Sequence, residues 1–269
     1  MVLLLFVELF ADLDPDLAAL RQVGGFFGLR TVRPAVGGPE AARIGELPTL
    51  AKAYEKLTSD VYRNALTFRV DAVSGRLRTA EPRVAASIAH QALAARLWSV
   101  ALGCAVRYGR LPDLDPALLR WDHGAAAPDD LWLTELRVRP GGADPVTLAD
   151  VVGRTVVHGH LGPLGEALRD RYGLAAGLLW GNAGSALAGA ARELDRWARA
   201  NGRTDAATRT RALTDALFAH PLLSATGTRA GPAFRRRSCC LYYRVPGGGV
   251  CGDCCFTQPP RSSPRAASG

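Results

Sequence analysis

The sequence predicts an α+β fold that is predominantly α-helical: a helical body with a few short strands, closed by a cysteine-rich C-terminal segment. Three observations carry this expectation. Long stretches rich in Ala and Leu repeat their apolar residues at helical spacing. Alternating runs are few and short. Five of the six cysteines fall between Cys239 and Cys255, leaving only Cys104 in the 238 residues before them.

In chain order, residues 1–30 read as an amphipathic helix that ends at Gly24–Gly25. Gly37, Gly38 and Pro39 break the chain before a second helix over Leu47–Arg63, where Leu50, Ala53, Tyr54 and Leu57 share a face. Thr67–Val73 and Arg76–Thr79 flank Ser74–Gly75 and predict a hairpin. Pro82 opens a long helix to Tyr108, whose Ala85, Ala86, Ala89, Ala92 and Ala95 permit close packing. Pro112–Pro128 reads as a loop and Leu131–Val138 as a strand, ended by Pro140–Gly141–Gly142. Leu148–Tyr172 is helical with an interruption near Gly159–Pro163. A further helix covers Leu178–Ala200, and a last one Arg211–Phe218 stops before Pro221. There is no internal repeat. The expected organisation is a body over 1–230, a cysteine segment over 231–256, and a disordered Pro/Ser/Arg tail over 257–269.

A hydrophobic content of 48% is ample for a core and excludes global disorder, collagen and coiled coil. Net charge is +8, and only Lys52 and Lys56 are lysines among 33 cations. The arginines are scattered, which fits a GC-rich coding sequence as well as attraction to acidic partners. Their longest run is three, with no stripe of aromatic platforms, so nucleic-acid binding is not expected. Nine of the first ten residues are apolar. They lack the basic region and cleavage site of a signal peptide, and are far short of the ~20 residues that span a bilayer. A soluble cytoplasmic protein with reduced thiols is expected, with peripheral association the most it would make with a membrane.

A disulfide framework spreads its cysteines across a fold, whereas this crowding suits a metal or cluster site. Cys251-Gly252-Asp253-Cys254 is a natural chelate, since Gly252 allows a tight turn. The vicinal pair Cys239–Cys240 differs, because in an extended strand the two side chains point to opposite faces. They converge only if the backbone leaves that geometry. Zinc sites ordinarily use two separated C-x₂₋₄-C chelates, so the pair favours an iron–sulfur cluster whose two irons relax this demand. A zinc site and a vicinal disulfide remain the alternatives. Val245–Val250 supplies the return turn, and its glycines are expected to bring backbone N–H groups to the sulfurs.

The run Arg236-Arg237-Ser238-Cys239-Cys240-Leu241-Tyr242-Tyr243-Arg244-Val245-Pro246, followed by Cys251-Gly252-Asp253-Cys254, resembles the C-terminal motif of FhuF-like ferric-siderophore reductases, with its C-C-x₁₀-C-x₂-C spacing. Leu179-Trp180-Gly181-Asn182 and Ala95-Arg96-Leu97-Trp98 are similar to the family as well. The resemblance implies an oxidoreductase that reduces siderophore-bound ferric iron and releases it in the cytoplasm. It implies a [2Fe-2S] cluster on Cys239, Cys240, Cys251 and Cys254, with Cys255 left over. It implies a ferric-siderophore as substrate and an external electron donor of ferredoxin, flavodoxin or reductase type. Arg235, Arg236, Arg237 and Arg244 would either offset the cluster's charge and attract an anionic chelate, or simply form a solvated basic loop. Tyr242 and Tyr243 would shield the cluster or pack the segment on the body. Trp180 and Trp132 are candidates for contacting the siderophore. The readings that compete with this one are a zinc-stabilised binding module and an electron-relay or sensor protein.

The remaining polar residues carry bland expectations. His158-x-His160 has no matching Cys-x-His partner and reads as structural. His90 and His220 read as satisfied core or cap positions, His123 as a loop residue, and Cys104 as a small buried hydrophobe. Gly181–Ser185 lacks the G-x-G-x-x-G spacing and the P-loop Lys, so it reads as close packing. Asp12, Asp14, Asp16, Asp113 and Asp115 read as caps and turns.

Overall fold

The structure is a computed structural model and describes residues 13–32, 39–55, 64–139 and 144–260. Its frame is helical. Helix α1 (Leu13–Ala19) runs into a 3₁₀ turn at Leu20–Gln22, and strand β1 is Arg30–Thr31. Helices α2 (Pro39–Glu46), α3 (Leu50–Tyr54) and α4 (Ala65–Leu77) lead to α5, Pro82–Tyr108. Four short strands follow: β2 (Leu111–Pro112), β3 (Leu119–Trp121), β4 (Leu131–Leu133) and β5 (Val138–Arg139). The second half has α6 (Pro145–Gly153), a π-helical stretch (Arg154–Leu161), α7 (Gly162–Tyr172), α8 (Ala176–Ala200), α9 (Thr204–Phe218) and the short α10 (Pro221–Ser224). The hairpin β6 (Gly227–Ala230) and β7 (Ala233–Arg236) closes it, with Ala230 opposite Ala233. The predominantly helical α+β architecture is as the sequence predicts.

Local chemistry sets the boundaries. Pro82, Pro145 and Pro221 open their helices, where a missing N–H costs nothing. Asn64 and Asp144 accept from the first free N–H groups of α4 and α6, caps that contribute about 1 kcal/mol each. Gly109 and Gly173 end α5 and α7 in the left-handed region.

The core lies where α5 crosses α8. Trp98 is fully buried between them and donates to the Ala183 carbonyl at 3.1 Å. Arg96 on α5 is buried too, paired with Asp130 at 2.9 Å and donating to the carbonyls of Phe26 (2.6 Å) and Pro128 (3.2 Å). That guanidinium pins the Phe26 loop to the body. The strands form a cap at one side. β1 is parallel to β4 and β3 antiparallel to it, with Trp132 opposite Arg30, while β2 pairs with β5. Among the described residues no helix is long and apolar enough to cross a membrane.

Several expectations need correcting. The hairpin over 67–79 is helix α4. Ser74 and Gly75 sit in its last turn, and the chain leaves through Arg78 at φ 51°. Arg78 N–H reaches Gly75 O and Thr79 N–H reaches Ser74 O, a Schellman closure with arginine where glycine is usual. Near Gly159–Pro163 the chain stays helical by widening, with Gly162 N–H bonding to Val157 O five residues back. The loop expected over Pro112–Pro128 contains strand β3, and the strand expected over Leu131–Val138 is split into β4 and β5. The helix expected from Leu47 begins at Leu50 with Thr49 as its cap, and its later part lies outside the described residues. The first helix is observed as α1 and its 3₁₀ extension. Residues 1–12, the Pro140–Gly142 turn and the tail beyond residue 260 lie outside the described residues.

Candidate metal centre

The hairpin β6–β7 delivers the cysteine segment onto the face where α5 meets α8. That approach requires glycine on α8. A Cβ at Gly181 would stand 2.0 Å from Ser238 Oγ, and one at Gly184 would stand 2.4 Å from Thr226 Oγ1. The Trp180-Gly181-Asn182 run is thus the bed on which the segment lies, within α8.

Arg236, the last residue of β7, is only 2% exposed. Its guanidinium donates to Asn182 Oδ1, to Ser238 O (3.1 Å), to Gln91 Oε1 (3.3 Å) and to Leu178 O (3.4 Å). Among the described residues no carboxylate pairs with it directly. Asn182 in turn donates to Ser87 O (2.9 Å) and Ser87 Oγ (3.1 Å), and Ser87 Oγ donates to Cys240 O at 2.7 Å. A buried cation without a paired carboxylate is costly unless other negative charge stands nearby. The neighbouring thiols are placed to supply it when deprotonated, since the charge of Arg236 acts to lower both Cys240 and Cys251.

Cys240 is buried, while Cys239, Cys251, Cys254 and Cys255 are half-buried. The sulfurs of Cys240 and Cys251 are 3.5 Å apart. Hydrogen bonds from the Cys239 and Cys251 thiols, helped by Arg236, hold the Cys240 thiol far below its ordinary range. The same sharing raises Cys239 and Cys251. Burial, followed by the charge of Cys254, raises Cys255. After the vicinal pair the chain turns through Leu241 in the left-handed region (φ 68°) into a 3₁₀ turn at Tyr242–Arg244. This left-handed residue turns the chain away directly after the pair, at a strain of about 1–2 kcal/mol for a leucine.

Backbone N–H groups do reach the sulfurs, but not from the glycine loop. Leu241 N–H donates to Cys239 Sγ (3.3 Å) and Phe256 N–H to Cys254 Sγ (3.4 Å). The glycines make the turn instead. Gly247 has φ +71°, and a Cβ at Gly248 would stand 2.6 Å from Tyr242 O. Asp253, between the last cysteines, is tied to the body. It accepts from Ser185 Oγ at 2.6 Å and pairs with Arg192 at 3.1 Å, while Arg236 N–H bonds to its carbonyl at 3.0 Å.

The donor set fits a two-iron cluster. Two thiolates bound to one tetrahedral ion at ~2.3 Å stand a little under ~4 Å apart, close to the Cys240–Cys251 separation. Five thiols gathered in one short segment, one of them buried and four half-buried, are the soft donors that an iron–sulfur cluster takes.

The other expectations sort themselves around this centre. Of the four arginines, only Arg236 is buried. Arg235 donates to Cys255 O (3.2 Å), and Arg244 pairs with Glu81 through two bonds of 2.9 and 3.0 Å. Tyr243 stacks edge-on against Phe256 at 5.9 Å. Trp132 is buried in β4 beneath Arg30, and Trp180 lines a small cavity of about 110 Å³ beside His90. Cys104 is fully buried, its thiol pushed up to about 12 by burial. His160 accepts from Tyr54 Oη (3.0 Å) and donates to Leu114 O (2.6 Å), and burial lowers it to about 4. His158 and His220 meet at 3.2 Å between Nε2 atoms, and His220 Nδ1 caps α10. His123 stacks on Phe68 at 5.3 Å. Asp113 and Asp115 accept from N–H groups two residues on, as turn residues do. His90 departs from expectation. It is buried, lowered to about 3 by burial and then by Arg236, and its Nδ1 has no hydrogen-bond partner among the described residues.

Ser87, Gln91, Ser185, Arg192 and Asp253 were not readable as site residues from sequence, since each is an ordinary residue on a helix or turn. The only signal was Asn182 beside Gly181. No curated protein matches this chain. A family model does match the cysteine segment: residues 236–256 are identified with the FhuF 2Fe-2S C-terminal domain, and the cofactor of this segment is a [2Fe-2S] cluster.

Proposed function

We propose that the protein reduces siderophore-bound ferric iron to ferrous iron, with Cys239, Cys240, Cys251 and Cys254 holding the cluster and Cys255 beside it. The observation that supports this best is the cysteine segment itself, matched over 236–256 and backed by a buried, carboxylate-free arginine. Ferric iron held by hard oxygen donors binds far more tightly than ferrous iron, so one electron is enough to loosen it. When bound, the cluster supplies electrons singly. Fe(III) takes up one electron to become Fe(II), and an external one-electron donor protein replaces it.

The chain's own residues prepare the site for this. Arg236 offsets negative charge at the sulfurs, which favours the reduced state. The N–H groups of Leu241 and Phe256 act on Cys239 and Cys254 in the same direction. Ser87, Asn182 and Asp253 fix the segment to the rigid helix pair, so the sulfurs are positioned before any substrate arrives.

Protein purified without oxygen is expected to be red-brown, with visible bands that bleach on one-electron reduction. In stopped flow, the reduced protein should be reoxidised faster by a ferric-siderophore than by buffer alone. Colourless protein with one stoichiometric zinc would sink the reading. A cluster indifferent to ferric chelates would point to relay or sensing instead.

A further inference from the structure

Two large clefts flank Arg192 on α8. One, about 630 Å³, is lined by Arg199, Arg211 and Arg229 with Asp195 and Asp215, and no cysteine reaches it. The other, about 540 Å³, ends on Cys251, Gly252 and Asp253. Its volume lies within the ~300–1,000 Å³ of ordinary small-ligand sites. We propose that this second cleft is the seat of the ferric chelate, an assignment that rests on the reductase reading for the identity of its ligand.

Its walls are suited to holding a compact, oxygen-rich molecule. Ala186, Gly189 and Ala190 of α8 and Gln91, Ala95 and Ser99 of α5 line it. The loop from Val23 to Phe27 lines it as well, with Phe26 44% exposed at the rim. The backbone that carries Phe26 is fixed, because buried Arg96 donates to its carbonyl at 2.6 Å. Polar groups that can meet chelate oxygens stand between these apolar walls: Gln91, Ser99 and Arg192.

Charge matters as much as shape. Arg192 is answered by Asp253 at 3.1 Å, and Glu193 adds a second carboxylate to the lining. The cleft therefore carries no net positive charge. The arginines that would have drawn an anion by bulk attraction lie elsewhere, so recognition depends on fit and hydrogen bonding. The cysteine end of the cleft brings a seated chelate directly against the segment that carries the electron, with Cys251 as the contact edge.

Gly189 offers a clean test. A Cβ there meets only Arg192 Nη2, at an ordinary 3.8 Å, so a side chain can leave α8 at this position without a backbone clash, and Gly189→Phe adds bulk to the cleft wall. Gallium(III) has the charge and size of ferric iron but takes no electron. Gallium(III) complexes of a linear trihydroxamate and of a tricatecholate therefore probe seating apart from reduction. Calorimetric titration of the holo-protein is expected to show one site per chain for at least one complex. Gly189→Phe should weaken it at least tenfold, with its visible spectrum unchanged. Phe26→Ala, at an exposed rim position, should weaken it several-fold and guards against a folding defect in the first variant. Reoxidation of reduced Gly189→Phe by the ferric complexes should slow in step, while reoxidation by ferricyanide stays as in wild type. Wild-type affinity in both variants, or no binding of either gallium complex to wild type, overturns the cleft assignment. Gallium binding lost in the variants, together with no reoxidation of wild type by any ferric complex, keeps the cleft and sinks the reductase.

Discussion

The helix pair α5–α8 and the cysteine segment after β7 are held together on opposite terms. The helices bury apolar side chains over most of their turns, with Trp98 between them and small residues at the crossing. The segment has one 3₁₀ turn, and beyond Cys240, Val245 and Asp253 few of its side chains are buried. It is held by named polar links: Ser87 to Cys240, Asn182 to Arg236, Ser185 and Arg192 to Asp253, and Glu81 to Arg244. The helices thus have a stability of their own, whereas the segment draws its shape from them and from what its sulfurs bind.

The largest effect belongs to the sulfurs. Cys240→Ser should abolish or grossly alter the visible spectrum and iron content while leaving the helical circular dichroism near wild type. Cys104→Ser, far down α5 in the core, should do the reverse: an unchanged spectrum with some loss of thermal stability. If Cys240→Ser kept the wild-type spectrum, that cysteine would leave the ligand set.

Next comes the link between the two regions. Asn182→Ala removes an acceptor from a buried guanidinium and a donor from Ser87, a loss of about 1.5–3 kcal/mol for the charged hydrogen bond alone. The denaturation midpoint should fall, and the protein should come off purification with less iron. Arg237→Ala, on the exposed neighbour of Arg236, should change neither. Equal effects of the two substitutions would show that burial of Arg236 is immaterial.

Acid separates the regions in another way. His160 and His90 are buried in the body and lowered by burial to about 4 and about 3. The unfolded chain takes up these protons near pH 6.5, before the folded one does. Their contribution is therefore complete above about pH 6.5 and is lost progressively as pH falls toward 4. Urea midpoints at pH 7 and pH 5 should show the drop, and His160→Gln, which keeps a donor and an acceptor but does not titrate, should reduce it. An undiminished drop would shift the cause to other groups.

How far each region could be read from sequence follows from the same contrast. The helix from Pro82 to about Tyr108 was legible, because a proline start and a run of small residues at helical spacing agree. The stretch 65–79 was not. Ser74-Gly75 reads as a hairpin turn, and only the Asn64 cap and the packing against α5 make it helix. The cysteine spacing announced a metal centre, since few other chemistries crowd thiols in that way. What sequence could not show was the support: that Gly181 is bare so that Ser238 can approach it, or that Arg236 alone among four arginines turns inward. Those are facts about long-range contacts, and no local pattern encodes them. The glycine loop misled for a related reason, because flexibility near a cluster suggests contact with sulfur when the glycines only close the turn.

The smallest effect is expected at the rim. Glu81 sits at the start of α5 and takes Arg244 through two hydrogen bonds, yet both side chains are more than a third exposed. Water already solvates such charges well, so the pair contributes below about 1 kcal/mol. Glu81→Gln should shift the melting temperature by no more than about 4 °C and leave the iron content unchanged. High salt should shrink even that difference. If Glu81→Gln instead emptied the centre as Asn182→Ala does, the segment would be clamped at its surface rather than from beneath. The buried chain from Arg236 through Asn182 and Ser87 to Cys240 would then be a consequence of the segment's placement and not its cause.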